Sequence, residues 1–110
     1  MKIPNGDNAF VDIAKLRDYS LNPQHPEGKH KARVFDAALG IDLADAEWLC
    51  EELLRVAREE SCQPGKFSTY GQRYLIDFTL SHHGKTALLR SAWITLHGQQ
   101  FPRLTSCYVL

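Results

Sequence analysis

The hydrophobic period of this chain changes once, at Gln63-Pro64-Gly65, and that switch dictates most of its architecture. Before it, Ala46, Leu49, Cys50, Leu53, Val56 and Ala57 recur at the i, i+3, i+4, i+7 spacing of one helix face. After it, Tyr74, Ile76, Phe78 and Leu80 alternate with Arg73, Leu75, Asp77 and Thr79, the period of a half-buried strand. Helices first and strands afterwards do not make the alternating units of a parallel sheet. The order predicts an α+β domain, with two to three N-terminal helices packed on one face of a three- to four-stranded antiparallel sheet. At 110 residues the chain has room for one core, so residues 1–110 are expected to form a single domain.

Local signals place the elements. Asp12 is a good N-cap for a short helix through Tyr19, with Ile13 and Leu16 inward, and Asn22-Pro23 stops it. Lys29 to Leu39 reads as a second helix with Ala32, Phe35, Ala38 and Leu39 on its apolar side, ended by Gly40. Asp42 then caps the longest helix, residues 43–60, with Glu47, Glu51 and Glu52 outside and Glu51–Arg55 as an i, i+4 pair. The Gln63-Pro64-Gly65 segment breaks the helical pattern.

His82-His83-Gly84-Lys85 makes a turn into the next strand. There Leu88, Ala92, Ile94 and Leu96 share one side and Leu89, Ser91, Trp93 and Thr95 the other. Arg90 has the parity of the first, aliphatic set. It is therefore expected to be re-aimed by a bulge or buried against a partner such as Asp77. Gly98 and Pro102 bracket another turn, Leu104 to Val109 reads as the last strand, and Phe10-Val11 is a candidate short edge strand.

The net charge of zero conceals a polarity. Residues 1–41 hold six Lys/Arg against five Asp/Glu, residues 42–60 two against seven, and residues 61–110 five against one. A strongly basic protein is excluded; a local basic face is not. The opening residues Met1 to Asp7 lack the apolar run of a signal peptide, and no segment is long enough to cross a bilayer. Three cysteines without CxxC spacing are expected to be free thiols. Cytoplasmic location with no membrane partner is the resulting expectation.

The candidate chemistry gathers at His25-Pro26-Glu27-Gly28-Lys29-His30-Lys31, where cations crowd a helix start that already carries positive partial charge. Such a cluster is either an anion receptor or a solvated basic face. His30 can give or take a proton near neutral pH. His25 and His30 lack a third ligand at metal spacing, so no metal is expected. Adjacent His82 and His83 are expected to point apart, and the cysteines have no basic neighbour to activate them. On the strands, Arg73, Arg90 and Arg103 face a single acid, Asp77, among Thr79, Ser91, Thr95, Thr105, Ser106 and Tyr108. With Tyr and Trp for stacking, that composition suits RNA; the alternative is a solvated face of cross-strand pairs.

Several stretches together resemble a small bacterial domain family with an HPxGKHKAxxF signature. They are Lys15 to Tyr19 with Leu21, then His25-Pro26-x-Gly28-Lys29-His30-Lys31-Ala32-Arg33-Val34-Phe35, then Tyr70-Gly71-Gln72-Arg73-Tyr74 with Asp77 and Trp93. The closing Pro102-Arg103-Leu104-Thr105-x-Cys107-Tyr108-Val109-Leu110 completes the match. Members of that family occur alone and as polymorphic-toxin modules, and their layout is similar to the barnase/EndoU/colicin/RelE-like ribonucleases.

The resemblance implies a metal-independent endoribonuclease without cofactor, the toxin of a toxin–antitoxin or polymorphic-toxin system. It implies RNA (tRNA or mRNA) and a cognate antitoxin or immunity protein as partners. By the same likeness His30 would be base or acid, and Arg90 or Arg73 would stabilise the pentavalent phosphate. Tyr108 and Thr105 would position that phosphate, while Lys29, Lys31, Arg73, Arg103 and Trp93 would hold RNA. The alternative is a non-enzymatic protein-binding module, an antitoxin or immunity protein, for which the acidic helix at residues 42–60 argues.

Overall fold

A computed structural model describes residues 1–110. The fold is α+β, with helices first and a four-stranded antiparallel sheet in the order β1-β2-β3-β4. Helix α1, Ile13–Lys15, starts where the Asp12 carboxylate accepts the Ala14 N–H at 3.0 Å. It loosens into a π-turn over Leu16–Ser20, closed by the Leu21 N–H on the Leu16 carbonyl. The expected helix through Tyr19 is therefore an α-turn followed by a wider one, which lets both Leu16 and Leu21 reach the core.

Helix α2, Lys29–Leu39, buries Ala32, Phe35 and Leu39 against β3 and β4. Helix α3, Ala46–Glu59, is preceded by a 3₁₀ turn, Leu43–Asp45, with Asp42 and Asp45 in a reciprocal capping box. It turns Ala46, Leu49, Leu53, Val56 and Ala57 inward over β2. Arg55 reaches Glu52 and Glu59 at 3.4 Å and Glu60 at 3.9 Å; the expected Glu51 partner is not among them. One cluster of 21 buried residues joins both helices to the sheet. No helix is long and apolar enough to cross a membrane.

The strands are β1 Gln63–Phe67, β2 Gly71–His82, β3 Lys85–Leu96 and β4 Arg103–Val109. Strand β1 has no counterpart in the sequence reading, in which Gln63-Pro64-Gly65 only breaks the helical pattern. All five of its residues are exposed and its register with β2 slips between Pro64 and Phe67. A proline donates nothing to the ladder, so within a sheet it suits an edge strand or a bulge, and Pro64 lies at both. The Phe10 segment contributes a single parallel bridge to Arg103 and no longer strand.

The inner face of the sheet carries Tyr74, Ile76, Phe78 and Leu80 from β2 and Leu89, Ser91 and Trp93 from β3. Arg90 pairs with Asp77 across the strands, so its set faces outward and the Leu89 set faces the core. Arg90 is neither re-aimed by a bulge nor buried: the β2–β3 register runs regularly through it, and its aliphatic neighbours Leu88 and Ala92 lie on the same outer side. The bulge lies at Thr105 on β4, where Ala92 pairs with Ser106 but Trp93 with Leu104. It leaves Tyr108 opposite Arg90 and Cys107 opposite Ser91.

His82 and His83 also depart from expectation. His83 adopts a left-handed φ of 50°, which breaks strand alternation, and the two ring centres lie 4.0 Å apart with the planes tilted by 35°.

Candidate functional site

The functional geometry starts from the loop before α2. His25 Nδ1 accepts the N–H groups of Glu27 at 3.0 Å and Gly28 at 2.9 Å, and its carbonyl accepts Lys29 N–H at 3.0 Å. Two donors at the mouth of the helix are thus already satisfied by a side chain, which removes them from the expected anion receptor. His25 also meets the Tyr19 ring edge-on at 4.8 Å. Gly28 passes so close to Tyr19 that any Cβ would collide with the Tyr19 carbonyl oxygen. His25 and Gly28 therefore lock the loop onto Tyr19; they are scaffold.

Helix α2 then presents its next residues to the edge of the sheet at β4. His30, Lys31, Val34, Tyr108 and Val109 line one hollow of about 270 Å³. The Lys31 ammonium lies 5.2 Å from the Tyr19 ring centre and 5.6 Å from that of Tyr108. His30 is exposed, and no protein group engages its ring. The hollow thus combines an imidazole, a cation and a phenol.

Tyr108 links this hollow to the outer face, because it stands directly across from Arg90 in the β3–β4 register. Arg90 grips Asp77 with both arms, Nε to Oδ1 at 2.8 Å and Nη2 to Oδ2 at 2.9 Å. The predicted partner is correct, but the pair is exposed on the sheet surface. Hydrogen bonding from Arg90 holds the Asp77 carboxyl below the usual carboxylate range, and Asp77 in turn raises Arg90. The pair's contribution is complete above the ordinary carboxylate pKa and is lost only as pH falls through the lowered one.

The other expected site residues lie elsewhere. Trp93 is wholly enclosed, its Nε1 donating to Ser91 Oγ at 2.9 Å, so it packs the core and offers no face to a base. Thr105 donates its hydroxyl to the Ala92 carbonyl at 3.0 Å, fixing the bulge. Its own carbonyl accepts from Lys15 at 2.9 Å. Arg103 is held between the rings of Phe10 and Phe101, at 5.6 and 5.7 Å. Lys29 lines a separate hollow with Arg33, Asp36 and Asp42 on another side of α2. Arg73 stands exposed beside β1.

Of the nine expected side chains, the fold assembles His30, Lys31, Tyr108 and Arg90. Tyr19 joins them and was not foreseen; its place beside the His25 motif in sequence was the available signal. Burial pushes the Cys107 thiol up to about 12, and it raises Cys50 and Cys62 as well. None of the three is a ready thiolate.

No curated protein matches the chain in sequence. Its fold is similar to a chain of the contact-dependent growth inhibition toxin–immunity protein complex from Klebsiella pneumoniae 342. The TM-score is 0.70 at 14% identity, with 96% of each chain covered. A family model described as a domain of unknown function, DUF6883, matches residues 2–110, and the chain belongs to that family.

Proposed function

We propose that this protein is the toxic component of a toxin–immunity pair, an endoribonuclease that works without a metal. The observation that carries this reading is the shared hollow of His30, Lys31 and Tyr108 at the β4 rim. In the proposed reaction a base takes the proton from a ribose 2′-OH, and that oxygen attacks the neighbouring phosphorus. The bond to the 5′-oxygen breaks, an acid protonates the leaving oxygen, and a 2′,3′-cyclic phosphate and a 5′-OH remain. His30 is the proposed proton carrier, being exposed and unpaired; Tyr108 is placed to hold a phosphate oxygen.

Its protein partner, an immunity protein, would act by covering this rim. The likeness to a chain of a toxin–immunity complex supports the pairing. The alternative role, as the immunity protein itself, drew on the acidic α3. Four of that segment's acids, Glu47, Glu52, Glu59 and Glu60, are already engaged by Arg17 or Arg55, which weakens it as a docking surface for a basic toxin.

Incubation with total RNA and with tRNA in EDTA tests the proposal. Cleavage to 2′,3′-cyclic phosphate ends is expected, lowered about 10²-fold or more in His30→Ala. No cleavage by the folded wild type, or equal cleavage by His30→Ala, defeats it.

A further inference from the structure

Charge alone nominates Arg90 as the group that meets the phosphate in such a reaction. Its geometry argues otherwise. Two of its donors are committed to Asp77 at 2.8 and 2.9 Å, and Tyr108 stands directly across from it on β4. An approaching phosphate would have to compete with a carboxylate already held bidentately, and the pair it met would be neutral as a whole.

Lys31 has the opposite character. It forms no ion pair with any carboxylate, and its ammonium rests between the faces of Tyr19 and Tyr108. Each such contact contributes on the order of 0.5–1 kcal/mol at an exposed site. That is enough to favour one placement of a flexible four-carbon stem. It leaves the charge and the N–H donors open to an anion in the hollow that His30 also lines. The preceding motif serves the same end. His25 braces the Tyr19 ring at 4.8 Å, and Gly28 packs against the Tyr19 backbone, so both act on the wall that holds Lys31.

We infer that Lys31 is the cation that contacts the scissile phosphate, and that Arg90 is a positioning residue that orients the Tyr108 hydroxyl. The inference rests on the ribonuclease reading for its role in catalysis, but a phosphate site at Lys31 can be tested without cleavage.

Steady-state cleavage of a short RNA is compared among wild type, Lys31→Gln, Lys31→Arg and Arg90→Gln. Lys31→Gln is expected to lose about 10²-fold in kcat, as when one group stabilising a developing anion is removed. Lys31→Arg recovers part of that loss. Arg90→Gln loses less than about tenfold, and in a Tyr108→Phe background it costs nothing further, because both changes remove one coupled unit. A merely structural Arg90 would add its loss in that background. Lys31→Gln cleaving within about threefold of wild type, or Arg90→Gln costing more than Lys31→Gln, overturns the inference.

Titration of the wild type with inorganic phosphate, followed by NMR of lysine side-chain signals, is the second arm. A saturable shift at Lys31, accompanied by one at the His30 ring that Lys31→Gln abolishes, is expected. No shift at Lys31 overturns the inference even if RNA is cleaved. A shift at Lys31 in a protein that cleaves no RNA leaves the phosphate site standing and defeats the ribonuclease reading instead.

Discussion

The two ends of α2 are each held by a histidine Nδ1, with opposite proton polarity. At the N-terminal end, His25 Nδ1 accepts from the amides of Glu27 and Gly28, so that nitrogen carries no proton. At the C-terminal end, His82 Nδ1 lies 2.7 Å from the Leu39 carbonyl, so there the nitrogen is the donor. Lys85 adds a second cap on the Ala37 carbonyl at 3.4 Å. Each assignment follows from what a helix leaves unsatisfied, amides at its start and carbonyls at its finish. The first clasp is local and lies beside the candidate site. The second reaches across more than forty residues from the β2–β3 turn and ties the helix to the sheet.

The glycines at the two ends differ in the same way and give the largest expected effect. Gly28 has an ordinary φ of −66°, yet a methyl there would strike the Tyr19 carbonyl. Gly40 has a left-handed φ of 64° and open space around it. Gly28→Ala should cost about 3 kcal/mol, because backbone must move. Gly40→Ala should cost about 1–2 kcal/mol, the strain of a left-handed alanine. Urea unfolding of both variants measures the difference. Equal losses would mean that the Tyr19 contact yields easily and that the N-terminal clasp is not rigid.

That contrast also explains what the sequence could disclose. Gly40 was legible as a helix stop because the requirement for φ above zero is local. Gly28 carries no such local signal, because its constraint is a carbonyl nine residues earlier, brought close by a π-turn that no periodicity announces. The α+β order and the register of Tyr74, Ile76, Phe78 and Leu80 followed from the change of period. Which face of β3 is inner did not, since Leu88, Ala92 and Ile94 look as apolar as Leu89 and Trp93. Ser91 decides it by donating to the Ile76 carbonyl and accepting from Trp93, a satisfaction visible only in three dimensions. The same limit applies at the site. His30 and Lys31 stood out by type, whereas Tyr19 enters through packing and Trp93 leaves through burial.

Removing the C-terminal clasp is the next largest change. The His82 side chain is 8% exposed and lies between the Trp48 ring at 4.6 Å and the His83 ring at 4.0 Å, with Asp45 3.7 Å from Nε2. His82→Ala removes that packing together with the bond to Leu39, an expected loss of about 2–3 kcal/mol. It should leave phosphate binding at Lys31 unchanged in protein that remains folded, as NMR titration would register. A lost phosphate response would show that the two ends are coupled along the helix.

His25→Ala should be the mildest of these changes for stability and the more telling for the site. It strips the acceptor from two amides, a cost of about 1 kcal/mol by analogy with lost helix caps. Hydrogen exchange should then quicken at Glu27 and Gly28 while Gly40 and Ile41, bonded to Asp36 and Phe35, keep their protection. His25→Asn restores a side-chain oxygen acceptor and should recover much of the protection at Glu27 and Gly28. It does not restore the imidazole that braces Tyr19. Phosphate affinity in His25→Asn therefore separates two roles of one residue. Affinity that returns with the amide bonds makes the cap sufficient for placing Lys31. Affinity that stays low with the amides protected assigns the placement to the ring contact with Tyr19.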